Sequence, residues 1–433
     1  MSTTGPSLSS LRRAPLLYRQ EAGQSLIVWL VIALLQFATQ IVLRHELKPG
    51  EFGIFNTALG VIGLMTLPLV AMNQAFTWYL AGNHPASESA RLDALRAAMF
   101  LITETLTWLW AAVSLVSLFL ILPLLSIIHF GLQLCILLNV LAGLGILVSA
   151  AICRQPGQGK GWTALLLGSI ALRVLLCAGA AFWQPVASAA LVALLLASVI
   201  SLIPALRHIP VDWSPRFEAL RALLDRDLLV YLSATFSVFL GIFLFINADR
   251  LVAQYWIGNP ADNNVGFVYW TVFDDYQTAG LLGRALLWGT QPLLFIWFSQ
   301  RSRLERTTSS SMTFFWIYLG ALIAGVVFLF ILKVPLSWIC CGGNYADTAS
   351  RIPIFCLAIL PIGLLQAFGF FALASRRFQE CFTLGGCGVA YAFLQYFEGR
   401  EANIMPAYMF GGGMVAVMIM LFVGVVRWGR KQP

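Results

Sequence analysis

A short stretch of the chain carries polar side chains at helical spacing inside an otherwise apolar sequence. Asp274, Gln277 and Arg284 follow one another at intervals that place them on one face of a helix, together with Leu281. In a bilayer an unpaired charge costs about 2.5–3.5 kcal/mol, so charges at membrane depth usually face a cavity or a partner. This face therefore predicts the lining of a water-filled cavity between helix bundles. A buried Asp–Arg pair that only fixes helix packing is the alternative.

More charged residues lie in this apolar stretch or in and at the ends of others. They are Arg44, Glu104, Arg173, Asp249, Arg250 and Asp275. Asp249 and Arg250 lie shortly before a turn rich in Gly, Asn and Pro, so they either face the same cavity or lie near the outer interface.

The composition shows which elements must hold these charges. The 433 residues are 59% hydrophobic and only 11% charged, and the mean hydropathy is +0.82. Ordinary soluble domains are about 45–50% apolar and about 25% charged. The sequence therefore predicts a polytopic membrane protein. Its first apolar stretch, residues 24–43, is long enough to span a bilayer and is expected to be retained.

Twelve apolar stretches predict an all-α protein with about twelve transmembrane helices. They cover residues 24–43, 54–80, 97–121, 131–152, 162–183, 186–206, 228–257, 265–298, 312–332, 351–374, 381–397 and 406–426. Of the 27 Lys and Arg residues, 19 fall on the side of the N-terminus and five on the opposite side. This bias predicts that both termini are cytoplasmic. The net charge of +8 is thus a topology signal and gives no support for nucleic-acid binding.

The chain is predicted to consist of two six-helix lobes. Residues 1–206 form the first, residues 228–433 form the second, and residues 207–227 form a basic, amphipathic cytoplasmic linker. Two pairs of similar segments support a repeat: Gly53 matches Gly266, and Pro123 matches Pro335. Six spans per lobe give both copies the same orientation, which is a parallel repeat.

Other kinds of site find little support. The eight cysteines and four histidines lack metal-ligand spacing, so no metal is predicted. No motif of a metalloprotease, a phosphate-binding loop or a nucleophile elbow occurs, so no catalytic residue is predicted. The glycine clusters at residues 385–388 and 411–413 are interpreted as places of close helix packing.

Several motifs resemble those of bacterial polysaccharide flippases of the multidrug/oligosaccharidyl-lipid/polysaccharide exporter superfamily. They are NADRLV at 247–252, YWIG at 255–258, VGF at 265–267, EFGIF at 51–55 and GNYADTA at 343–349. With the plan of twice six spans, the resemblance covers nearly the whole chain. Asp274 and Asp275 depart from it, because they replace small apolar residues of the family.

This resemblance implies a flippase that moves a lipid-diphosphate-linked glycan across the bacterial inner membrane by alternating access through a central hydrated cavity. Its partners would be that glycan, membrane lipids and other proteins of polysaccharide biosynthesis, and it would need no cofactor beyond possible coupling to H+ or Na+. The implied contacts to a diphosphate are Arg173, Arg284, Arg250 and Arg44. Glu104, Asp274, Asp275 and Asp249 would carry the coupling ion or act as counter-ions to the arginines.

Two alternatives remain open at this point. A drug or cation antiporter of the same superfamily would share the architecture and would use carboxylates to contact its substrate. A membrane glycan polymerase or ligase belongs to a different class and needs a sizeable outward loop. The predicted outward loops are at most about 20 residues, which argues against such an enzyme.

Overall fold

The computed structural model describes residues 31, 34–83, 110–113, 115–116, 130–153, 159–206, 226–256, 266–301, 308–342, 345–398 and 404–429. The regular structure in these ranges is helical. We number its helices α1 (residues 34–46), α2 (Glu51–Asn83), α3 (Phe130–Cys153), α4 (Gly159–Trp183), α5 (Ala187–Leu206), α6 (Arg226–Trp256), α7 (Gly266–Arg301), α8 (Thr308–Ile331), α9 (Lys333–Cys341), α10 (Ala346–Ala374), α11 (Phe378–Glu398) and α12 (Met405–Gly429).

The helices confirm the prediction of an all-α, polytopic membrane protein. Helices α2, α6, α10 and α12 contain described segments that are long and apolar enough to span a membrane. Helices α8 and α9 pass this test as a pair, with a bend of 69° between them, while α3, α4 and α5 contain shorter apolar segments. Helix α9 lies between the predicted stretches 312–332 and 351–374, in a segment expected to be an outward loop, because Lys333 and Pro335 interrupt the apolar pattern there.

Helix α2 lies between two hydrophobic cores. One core is formed mainly by residues of α1 to α5, and it includes Leu281 from α7. The other is formed mainly by α6 to α12, and it includes Leu67, Ala71 and Ala75 from α2. Each core therefore contains residues from the other half of the chain, and α2 packs against both α6 and α7. The predicted linker lies largely outside the described residues, and the division into two repeated lobes stays a prediction.

Glycines allow the close crossing of α6 and α11. A β-carbon at Gly388 would lie 2.5 Å from the Cα of Gly241, and one at Gly385 would lie 2.9 Å from the Cβ of Ser237. In α12, β-carbons at Gly412 and Gly413 would press on neighbouring side chains in the same way. Close packing is thus confirmed at these positions, whereas Gly386 and Gly411 have open space beside them.

Candidate functional site

The polar face predicted on α7 is packed between helices in this structure. Asp274 is fully buried, Gln277 and Arg284 are 1% exposed, and Leu281 is 4% exposed. Their contacts form two groups at different positions along α7: a deeper group around Arg284 and a second group around Asp274.

The deeper group centres on an ion pair between α6 and α7. Arg284 donates from Nη2 to Asp249 Oδ2 at 2.6 Å and from Nε to the carbonyl of Ile246 at 2.7 Å. The hydroxyl of Tyr276 donates to the same carboxylate oxygen at 2.7 Å. The partner of Arg284 is therefore Asp249. Asp274, which the sequence-based packing alternative pairs with Arg284, lies in the other group.

Two polar atoms in this deeper group lack a hydrogen-bond partner within the described ranges of the chain. Asp249 Oδ1 has none, although the residue is fully buried, and Gln277 Oε1 has none either. The amide nitrogen of Gln277 donates to the carbonyl of Arg250 at 3.3 Å. Buried carboxylate oxygens are usually hydrogen-bonded, so Oδ1 of Asp249 can accept a further donor at this position.

Arg250 is buried without a carboxylate of its own. Its guanidinium donates to the carbonyl of Asn56 in α2 and makes a long contact of 3.5 Å with the side chain of Asn247. Nε of Arg250 has no partner. Within the described parts of the chain, Arg250 and Arg284 thus share the single carboxylate of Asp249, which leaves an excess of positive charge.

The second group joins the two halves of the chain near the start of α2. Arg44 contacts Asp275 at 2.9 Å and Asp274 at 3.5 Å. Asp274 also accepts hydrogen bonds from the backbone N–H groups of Gly50 and Gly53, each at 2.8 Å. These amides lie at the N-terminus of α2, where backbone donors lack intrahelical partners and the helix dipole favours an anion.

Neighbouring residues extend this contact between the halves. Thr348 of α10 donates to Asp275 at 3.1 Å, and its hydroxyl lies 3.3 Å from the Sγ of Cys341. The ring of His45 lies 2.7 Å from the carbonyl of Ile339 in α9. Thr348 and His45 are not among the residues predicted from the sequence, because a hydroxyl and an imidazole near span ends carry no distinctive signal.

The remaining predicted site residues do not join either group. Arg173 of α4 donates to the hydroxyl of Ser198 in α5 at 3.4 Å. No hydrogen bond or ion pair between described residues connects Arg173 with Arg284. Glu104 lies outside the described residues. The search of the described chain also finds no group of three His, Cys, Asp or Glu side chains that could hold a metal ion.

No family model matches the sequence, and no curated protein matches it. Solved structures do match over nearly the full length. A eukaryotic MATE transporter aligns with a TM-score of 0.61 at 12% identity, covering 95% of this chain and 96% of its own. A multidrug resistance MATE family transporter of the MOP superfamily gives 0.59 at 12% identity, with coverage of 96% and 97%. The bent form of a MATE transporter from Vibrio cholerae gives 0.57 at 14% identity, with coverage of 93% and 96%. The chain therefore has the fold of the MATE transporters of the MOP superfamily.

Proposed function

We propose that the protein is a secondary transporter that exports an organic substrate, such as a drug or an organic cation, in exchange for H+ or Na+. Its fold supports membrane transport by alternating access, because similar structures across the full length are MATE transporters. The proposed location is the bacterial inner membrane with both termini in the cytoplasm, which rests on the distribution of Lys and Arg.

The observation that carries this proposal is the half-satisfied carboxylate of Asp249. One oxygen is held by Arg284 and Tyr276, and the other has no hydrogen-bond partner among the residues that the structure describes. A carboxylate at membrane depth with a free oxygen can take up a proton or a small cation. We therefore assign Asp249 as the coupling residue, with Arg284 as the group that replaces the ion when it leaves.

The state of the arginines favours this function over glycan flipping. Arg44 is paired with Asp274 and Asp275, and Arg284 is paired with Asp249. Guanidinium groups that already contact carboxylates are less available to a diphosphate than the flippase prediction requires. The glycan flippase nevertheless remains a second candidate, because Arg250 is buried without its own carboxylate and could compensate an anionic head group.

The test is transport by purified protein in liposomes under an imposed pH or Na+ gradient, with fluorescent organic cations as substrates. We expect gradient-driven uptake by wild-type protein and no coupling in the neutral pair Asp249→Asn/Arg284→Gln. Asp347→Asn is the matched control, because Asp347 is an exposed carboxylate in the first turn of α10.

A second arm separates the two candidates. Liposomes that contain a fluorescent polyprenyl-diphosphate-linked oligosaccharide report flipping as loss of protection from membrane-impermeant quenchers. Flipping of this lipid without ion-driven cation transport would contradict the antiporter and support the flippase.

A further inference from the structure

We infer that Asp274 forms a latch that holds the two halves of the chain together and must release for transport. The interface latch consists of Arg44, Gly50 and Gly53 from the first half and Asp274 from the second half. Its role in a transport cycle rests on the proposed function, but its existence as a contact does not.

The contacts of the Asp274 carboxylate are directed across the interface. Its Oδ2 accepts from Gly50 N–H and lies 3.5 Å from the guanidinium of Arg44, while Oδ1 accepts from Gly53 N–H. All these partners belong to the chain segment around the α1–α2 turn. The carboxylate thereby caps a helix that lies more than 200 residues away in sequence, so separation of the halves must leave both Asp274 and the first amides of α2 without partners.

The charged groups around Asp274 favour two distinct states of this contact, formed or broken. Asp275 is in direct contact with the latch, because it forms an ion pair with Arg44. Other titratable or charged side chains on the elements packed around it are His45, Glu51, Cys341 and Arg351, and Glu51 is engaged by the backbone N–H of Ala187. Buried charged hydrogen bonds are either made or lost, so the latch favours a closed and an open arrangement over intermediates.

Packing beside the latch provides an independent means of opening it. Gly53 lies against the ring of Phe273, the residue before Asp274, and a methyl group at position 53 would overlap that ring. The overlap cannot be relieved locally, because Phe273 is fully buried. Gly53→Ala therefore acts as a wedge between α2 and α7, while the carboxylate of Asp274 stays intact.

The experiment measures the distance between the halves by double electron–electron resonance. Spin labels are placed at Trp183 in α4 and Trp338 in α9, which are 89% and 60% exposed, after replacement of the native cysteines. We expect the closed distance to dominate in the parent protein. Asp274→Asn and Gly53→Ala should each shift the closed-to-open ratio by about tenfold or more, because the first removes charge-assisted hydrogen bonds and the second introduces an overlap with the ring of Phe273.

Second-site changes distinguish a latch from general damage. Phe273→Ala removes the ring that opposes the wedge, so the Gly53→Ala/Phe273→Ala protein should return to the closed distance. Asp274→Asn/Phe273→Ala should stay open, because its missing anion is not restored. Asp347→Asn should behave as the parent protein. Identical distance distributions in the parent, Asp274→Asn and Gly53→Ala proteins would overturn the latch.

The outcome is separable from that of the proposed function. The distance measurement uses no substrate and no gradient. If the latch opens as described in a protein that transports no cation, the result contradicts the antiporter proposal and supports the latch. If the wild-type protein shows gradient-driven transport but the distances are unchanged in Asp274→Asn and Gly53→Ala, the result supports the antiporter and contradicts the latch.

Discussion

At the scale of single residues, the ion pair between Arg284 and Asp249 compensates the buried charge of the Arg284 guanidinium in α7. The guanidinium is fixed by the carboxylate and by the carbonyl of Ile246, and the carboxylate also accepts from Tyr276. Removing one partner of a buried pair leaves an uncompensated charge, which costs more than the pair contributes. Replacing both partners by neutral groups of similar size avoids that cost.

We therefore expect Asp249→Asn alone to destabilise the protein by about 3–5 kcal/mol, because it leaves Arg284 buried without a counter-ion. The double variant Asp249→Asn/Arg284→Gln should recover most of this stability. Thermal unfolding of detergent-purified protein, followed by fluorescence-detected size exclusion, measures both. A double variant as unstable as the single one would contradict the assigned pairing and would require another partner for Arg284.

The sequence could predict which residues at this site are unusual, but it could not predict their partners. A charge in an apolar stretch is visible without coordinates, and Arg44, Asp249, Asp274 and Arg284 were found in this way. The pairing depends on which helix lies beside α7 and at what height. Asp274 and Arg284 lie on the same helix face, which made them plausible partners, yet each contacts a different neighbouring helix.

At the scale of elements, the crossing of α6 and α11 depends on the absence of side chains. The backbone of α11 approaches Gly241 so closely that a β-carbon at Gly241 would lie 2.6 Å from the carbonyl oxygen of Leu384. Small residues stabilise such contacts in membranes, because helix association there relies on van der Waals packing rather than on the exclusion of water.

We expect Gly388→Ala to destabilise the fold by about 1–3 kcal/mol through overpacking against the backbone of α6. The matched control is Gly386→Ala on the same helix, where a β-carbon would have no neighbour within 4 Å. Alanine is the better helix former, so the control should be neutral or slightly stabilising. Thermal stability of the two variants compared with wild type tests this, and equal losses in both would contradict the close crossing.

The sequence predicted the long helices well and the short one poorly. Apolar length alone marks α6, α10 and α12. Helix α9 breaks away from α8 after Ile331, and Pro335 in its first turn has no N–H to donate to the carbonyl of Ile331, so the bend of 69° has a local cause. Its direction is set by tertiary contacts such as that between Ile339 and His45.

At the scale of the whole molecule, the distribution of basic residues predicts the orientation in the membrane. Reporter fusions after Lys160, Arg226, Arg303 and Arg377 should report the cytoplasm. Fusions after Lys48, Pro260 and Asn344 should report the opposite side, because the bias of Lys and Arg sets the topology. A cytoplasmic signal at Asn344 would be incompatible with twelve spans and two cytoplasmic termini.

The repeat of the two halves is a feature that hydropathy predicts only in outline. Counting the spans gives two sets of six, but the matched pairs around Gly53 and Pro123 rest on a few residues. What the sequence could not show is how the halves meet. The contacts of α2 with α6 and α7 depend on side-chain shape at positions such as Gly53 and Phe273, which no periodic pattern encodes.

The charges of α7 also bear on how the protein is made. Helix α7 contains Asp274, Asp275 and Arg284, and each of these charges makes its insertion into the bilayer more costly. Its partner at Gly50 precedes Asp274 by 224 residues, so that counterpart has already left the ribosome when α7 is synthesised. Earlier helices would thus receive a segment whose buried charges are costly until they are paired. Biogenesis of this protein accordingly has a direction, in which the first half acts as the docking partner on which the second half completes its insertion.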